Sequence, residues 1–197
     1  AIKPKELATE RIISENIYIN NVKNFISGLQ KTEFYTSTKN SYDEAKKKIN
    51  IFKGYIENND GYKLFYDRKT GERIKGEKDL QLLFGLVCHK STTFDVNKEP
   101  NLGRGPVDFK LSKGSTDKTL IEFKLASNKR LKNNLQNQVE IYQKANQTNS
   151  AFKVIIYFTE EEHKRVVNIL NKIGLAGKDN IALIDGRRDN KISASKV

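Results

Sequence analysis

Two short lines of alternating residues, VDFKL at 107–111 and IEFKL at 121–125, constrain this chain more than any other feature. Period-two alternation marks a strand that buries one face. The turn-forming run KGSTDK at 113–118 lies between the two lines, so they read as neighbouring strands. Each line carries charge where a plain strand would carry Thr or Ser. Glu122 and Lys124 are two apart and share one face, while Ile121, Phe123 and Leu125 take the other. By the same parity Asp108 lies with Lys110, opposite Val107 and Phe109. A suitable register brings Asp108 within reach of Glu122, so that two carboxylates converge with a lysine beside them. Burying charge there is costly unless something compensates it.

The residues on either side give those strands a setting. From Glu77 onward, EKDLQLLFGLVC reads as a helix through Leu80, Leu83, Phe84 and Val87, and TTFDV reads as a strand. The two charged strands follow, then a helix over roughly 129–147, the apolar strand FKVIIYF, a helix starting at TEEEH and a last buried strand, IALID. Thr159 before three acids is a helix start, because its hydroxyl can accept backbone N–H bonds and the acids sit at the positive end of the dipole. The order is α-β-β-β-α-β-α-β, which predicts an α/β fold for residues 77–197. Upstream, 5–30 and 41–57 carry helical spacing, and YKLFY followed by DRKTGER predicts a short hairpin ending near Ile74. Residues 1–76 are therefore expected to form a helical N-terminal unit, with the lysines at 46–48 on its solvated side.

Composition narrows the function. No apolar run approaches the roughly 18 residues that would cross a bilayer, and the opening AIKPKELATE lacks the apolar core of an export signal. The expectation is a cytoplasmic protein with no membrane partner. With no methionine anywhere, residue 1 included, the chain is expected to be a processed form or a piece of a longer protein. The single cysteine, Cys88, is assigned to the core, and no Cys/His cluster has zinc spacing, so any catalytic metal must be held by oxygen. His89 and His163 are far apart, with no nucleophile turn near them, and His89 reads as a helix-end residue. The net charge of +12 favours an anionic partner. Seven basic residues against two acidic ones fall in 110–132, so the excess centres on the charged strands.

Two carboxylates and a lysine suit a hard divalent cation. Mg²⁺ takes oxygen ligands and needs only one or two protein carboxylates when substrate phosphates supply the rest. Asp108 and Glu122 are the expected ligands, with the backbone carbonyl of Phe123 as a further oxygen. Lys124 would orient a water or stabilise developing charge. Phosphodiester hydrolysis uses all of these parts. Around them, Arg104 lies between Gly103 and Gly105, where the backbone can approach a phosphate, and Lys110, Lys129, Arg130 and Lys132 suit a nucleic-acid backbone whose binding weakens with salt.

GPVDF, a turn and IEFKL together resemble the PD-(D/E)XK nuclease superfamily, the restriction-endonuclease-like fold. Pro106 and Asp108 give a variant of its first half with Val107 inserted, and Glu122, Phe123 and Lys124 give its E-x-K. The resemblance implies a mixed central sheet flanked by helices in an α-β-β-β-α-β core, here over 77–158. Gln138 and Tyr142 match the Q-x-x-x-Y helix motif of one branch, where such residues border the active site. A carboxylate from the first core helix often completes the metal site; Glu77 is the candidate here, with Glu99 a weaker one.

The resulting expectation is a Mg²⁺-dependent endonuclease, with Mn²⁺ able to substitute, of bacterial restriction, defence or repair type. DNA is favoured over RNA as substrate, and a homodimer or larger complex is expected where both strands of a duplex are cut. Two alternatives stand beside it: a ribonuclease toxin with a protein inhibitor, and a nucleic-acid-binding module on the same fold without catalysis.

Overall fold

Two runs of apolar side chains on opposite faces of one sheet organise the chain, which is described by a computed structural model over residues 4–31, 39–73, 76–89, 93–100, 107–138, 148 and 150–191. The strands are β1 (Asp95–Lys98), β2 (Phe109–Lys113), β3 (Asp117–Leu125), β4 (Ser150–Tyr157) and β5 (Ile181–Asp185), in the spatial order β1-β2-β3-β4-β5. β1, β2 and β3 form an antiparallel meander, and β3, β4 and β5 run parallel. The fold is thus α/β with a five-stranded mixed open sheet flanked by helices. Among the described residues no helix is long and apolar enough to cross a membrane.

The chain divides into a unit at Ala1–Lys39 and a unit at Asn40–Val197. The first contains helix α1 (Pro4–Gln30), and its described side chains from Ile12 onward are exposed. The expected boundary at 76/77 is displaced because helix α2 (Ser41–Asn58) belongs with the sheet. Ala45, Ile49, Phe52 and Ile56 recur at helical spacing, and all four are buried in the same core as strand residues Phe109, Ile121, Phe123 and Phe152. Burying each large apolar side chain is worth about 1.5–3 kcal/mol, so this face holds α2 on the sheet. Its N-terminus is pinned as well. Asn40 caps it by accepting from the Asp43 N–H, and Ser41 donates through N–H and Oγ to Asp117 at the start of β3, at 2.9 and 2.6 Å.

Two expectations in this stretch need correction. YKLFY lies largely within a 3₁₀ turn, Gly61–Phe65, and only an isolated antiparallel bridge, Tyr66 to Arg73, remains of the hairpin. Phe65 turns inward, fully buried, to meet the Phe158 ring edge-on at 5.7 Å, and five alternating residues do not distinguish that from a strand. The lysines at 46–48 are not uniformly solvated either. Lys48 is buried, pairs with Glu44 and donates to the Val87 carbonyl near the end of helix α3 (Glu77–Cys88), where cations suit the free carbonyls.

α2 and α3 cover one face. Phe52, Phe84, Phe109 and Phe123 meet there with ring centroids 5.0–6.1 Å apart, mostly edge-to-face, a geometry that adds about 0.5–1.5 kcal/mol per pair beyond burial. The buried stripe of α3 is Leu80, Gln81, Phe84 and Cys88, whereas Leu83 and Val87 are only partly buried. The opposite face is packed by α4 (Leu131–Asn133, continuing as a π turn to Gln138) and α5 (Glu160–Lys172), through Leu131, Leu135, Val166 and Leu170 against Ile155 and Tyr157. Thr159 caps α5 as expected, accepting from the Glu162 N–H at 3.1 Å. The first strand is shifted from TTFDV to Asp95–Lys98.

Candidate active site

The ladder between β2 and β3 starts at Phe109 opposite Ile121, so Asp108, one residue earlier, comes level with Glu122. The chain leaves strict alternation at that point. Val107 packs with Leu120 and Ala151, while Phe109 lies in the other core with Phe84 and Phe123, so the expected shared face of Val107 and Phe109 does not hold. The departure has a use. The Phe123 N–H, left without its ladder partner, donates instead to Asp108 Oδ2 at 2.6 Å. Asp108 Oδ1 accepts from Gln81 Nε2 on α3, also at 2.6 Å. Asp108 is thus held between two elements by two hydrogen bonds.

Glu122 and Lys124 follow the expected parity. They point away from Ile121, Phe123 and Leu125, and Lys124 Nζ donates to Glu122 Oε1 at 2.7 Å. The second oxygen of Glu122 is buried without a hydrogen-bond partner among the described residues. Glu77, at the first position of α3, reaches the same place. Its Oε2 is 3.3 Å from Lys124 Nζ, and its Oε1 accepts from the Leu125 N–H and Asn128 Nδ2. A pocket of about 320 Å³ lined by Glu77, Leu125, Ser127 and Asn128 opens there. Arg165 of α5 clamps the following turn by donating to the Ala126 and Asn128 carbonyls at 2.8 and 2.9 Å.

Three carboxylates around one lysine leave an excess of negative charge. Asp108, Glu122 and Lys124 are only 8, 5 and 6 % exposed. Burial, and then the charge of Glu122, pushes the Asp108 carboxyl up to about 7, against the lowering effect of the Phe123 N–H and Lys124. Burial raises Glu122 as well, opposed by Lys124. Burial works to lower Lys124, but Glu122, Glu77 and Asp108 outweigh it and keep the amine protonated. A bound cation would relieve both carboxylates.

Those properties fit a divalent cation in part. The unsatisfied Glu122 oxygen and the carboxylates strained toward protonation are the donor chemistry that a hard cation takes. Among the described residues, however, no three His, Cys, Asp or Glu side chains are grouped so as to hold a metal ion. Glu77 approaches through Lys124, and its oxygens are occupied by three donors. Glu99 is exposed, with its backbone N–H on the Asp108 carbonyl.

The remaining expected residues are placed unevenly. Phe123 contributes its N–H to Asp108 and a fully buried ring to the core. Lys110 is half-buried opposite Leu120, and Lys129, Arg130 and Lys132 are exposed around the start of α4. Gln138 ends the π turn, whereas Arg104, Pro106 and Tyr142 lie outside the described residues. Cys88 is a core thiol that burial pushes up to about 11, so it is not a nucleophile. Sequence reasoning missed Gln81 and Lys153. Gln81 lies one helical turn beyond Glu77, on the face that carries both to the site. Lys153 is buried on β4 opposite Glu122, and it donates to the Leu135 carbonyl within the π turn.

A family model described as Domain of unknown function (DUF8371) matches residues 41–160. No curated protein and no solved structure matches the chain. The matched span starts at α2 and ends at the start of α5, so it contains every member of the Asp108 cluster and excludes α1.

Proposed function

The chain belongs to the DUF8371 family, and we propose that it is a metal-dependent nuclease with a restriction-endonuclease-like core, its site formed by Asp108, Glu122 and Lys124. The observation that carries the reading is the pair of buried carboxylates level with each other, Asp108 just before β2 and Glu122 on β3, the latter with a lysine at 2.7 Å and an oxygen that has no partner among the described residues. Support comes also from the element order α3-β1-β2-β3-α4-β4, which is the order that the sequence resemblance implies. A structural ion pair would need only one carboxylate for one lysine. Three carboxylates against Lys124 and the buried Lys153 opposite Glu122 still leave an excess of acid that a Mg²⁺ or Mn²⁺ ion would balance.

Each residue has a task in this reading. Asp108 and Glu122 hold the cation, and the two hydrogen bonds on Asp108 fix its orientation before the cation arrives. The cation, when bound, supplies Lewis-acid stabilisation of charge on phosphate oxygens and lowers the pKa of water toward neutrality. Lys124 keeps a positive charge beside the reacting phosphate, and Glu77, braced by the Leu125 N–H and Asn128, holds Lys124 in place. Lys129, Arg130 and Lys132 present exposed charge to the flanking backbone, with DNA the favoured substrate.

Incubation with supercoiled DNA, linear duplex, single-stranded DNA and structured RNA, in Mg²⁺ and in chelator, tests the proposal. Cleavage of at least one DNA form in Mg²⁺ only is expected. Cleavage confined to RNA would move the substrate and leave the chemistry, whereas tight binding with no cleavage of any substrate in Mg²⁺ or Mn²⁺ would favour a non-catalytic binding module.

A further inference from the structure

Gln81 carries one of the few buried polar atoms that find no hydrogen-bond partner among the described residues. The side chain is 6 % exposed, yet its amide oxygen accepts from none of the described residues. A buried acceptor left without a donor is destabilising, so a retained one calls for a ligand. Its orientation is fixed by the other half of the amide. Gln81 Nε2 donates to Asp108 Oδ1 at 2.6 Å, the pairing that the ionised carboxylate requires, and this leaves the amide oxygen open.

A second orphan, Glu122 Oε2, belongs to the residue level with Asp108. Both orphans are acceptors, and both belong to residues around the same aspartate. Lys124 Nζ is spoken for by Glu122 Oε1 and Glu77 Oε2. The Asp108 backbone N–H also serves the Glu122 carboxylate, so one oxygen of Gln81 and one of Glu122 are the acceptors left open among the described residues of the cluster. Glu77 has its Oε1 filled by the Leu125 N–H and Asn128 and its Oε2 turned to Lys124, so its remaining acceptor site lies beside the amine.

We infer that Gln81 Oε1 is a neutral oxygen ligand of the divalent cation held by Asp108 and Glu122, taking the place that the sequence alone assigned to Glu77. The inference rests on the proposed metal site. Hard cations accept amide carbonyls alongside carboxylates, and a neutral third ligand adds a donor without deepening the charge excess. The same amide then acts twice, orienting Asp108 through its nitrogen and meeting the cation through its oxygen. Glu77 becomes a positioning residue for Lys124.

Isothermal titration of the full chain with Mn²⁺ distinguishes the possibilities without any substrate, comparing wild type with Gln81→Leu, Gln81→Glu and Glu122→Gln. Wild type should bind, Glu122→Gln should lose binding, and Gln81→Leu should weaken it by roughly tenfold or more. Gln81→Glu, which places a carboxylate where the amide stood, should bind more tightly than wild type. Unchanged affinity in Gln81→Leu with binding lost in Glu122→Gln would overturn the Gln81 assignment and leave the carboxylate site standing. Should Gln81→Leu fail to fold, unchanged or weaker binding by Gln81→Glu would overturn it equally. No Mn²⁺ binding by wild type, or binding that survives Glu122→Gln, would overturn the metal site and this inference together.

Discussion

Replacing Asp108 by Asn should stabilise the protein while abolishing the proposed activity. Asp108 is 8 % exposed, and its carboxyl is pushed from an ordinary 3.8 up to about 7, first by burial and then by Glu122. A carboxyl with a raised folded-state pKa binds more protons when folded. Its contribution is therefore most favourable below about pH 4, is lost as pH rises toward 7, and stays lost above that. At about 1.4 kcal/mol per decade, the span from 3.8 to about 7 amounts to up to about 4 kcal/mol at pH 8. Asn removes that term. It can still accept the Phe123 N–H, and if the Gln81 amide turns over, Asn can donate to the Gln81 oxygen that now has no partner. Exchanging two charged hydrogen bonds for neutral ones returns about 1 kcal/mol each. The net gain should be about 2 kcal/mol at pH 8, or roughly 4–8 °C in Tm for a domain of this size. Thermal unfolding followed by circular dichroism, without divalent cations, measures it at pH 5 and pH 8. The advantage of Asp108→Asn should be present at pH 8 and largely gone at pH 5. A variant that melts at or below wild type at pH 8, or a gap equal at both pH values, would refute the reasoning.

Three further outcomes test other parts of the structure. Asp117→Ala removes the carboxylate that accepts both the Ser41 N–H and its hydroxyl, and should cost about 2–3 kcal/mol, read as a lower urea midpoint with an unchanged slope. Asp185 is pushed down to about 2: burial acts to raise it, and hydrogen bonds from Arg187 and Asn190 outweigh that. Its stabilisation is present above about pH 4 and lost as pH falls toward 2, so the Tm gap between wild type and Asp185→Asn should close over that window. Finally, replacing Lys129, Arg130 and Lys132 together by Ala should weaken nucleic-acid binding and flatten the slope of log K against log salt by up to about 2.7, measured by fluorescence anisotropy between 50 and 200 mM salt.

Much of the site could be read from parity. Glu122 and Lys124 fall on the face opposite Ile121 and Phe123, as alternation requires, and the intervening turn brings Asp108 level with Glu122. What parity could not give was the break at Val107. That break depends on an aspartate side chain replacing a backbone partner for the Phe123 N–H, an interaction between residues 15 apart. Gln81 was passed over because an amide sharing a helix face with Glu77 has no chemistry until its neighbour across the fold is known. Glu77 looked like a ligand because the resemblance implies a carboxylate from the first core helix at the metal site, but three donors meet it there. The domain boundary was misplaced for a related reason. The periodicity of α2 shows that it has a buried face and does not say what covers it, and the covering surface is formed by β2, β3, β4 and β5.

The central claim is that Asp108, Glu122 and Lys124 form one cation-dependent hydrolytic site, and single-turnover cleavage by wild type and Lys124→Ala in saturating Mg²⁺ tests it most directly. Using whichever nucleic acid the wild type cuts, the variant should bind Mg²⁺ and substrate while its cleavage rate falls by roughly a hundredfold or more. Full cleavage by Lys124→Ala, or no cleavage of any nucleic acid by wild type with Mg²⁺ bound, would contradict it.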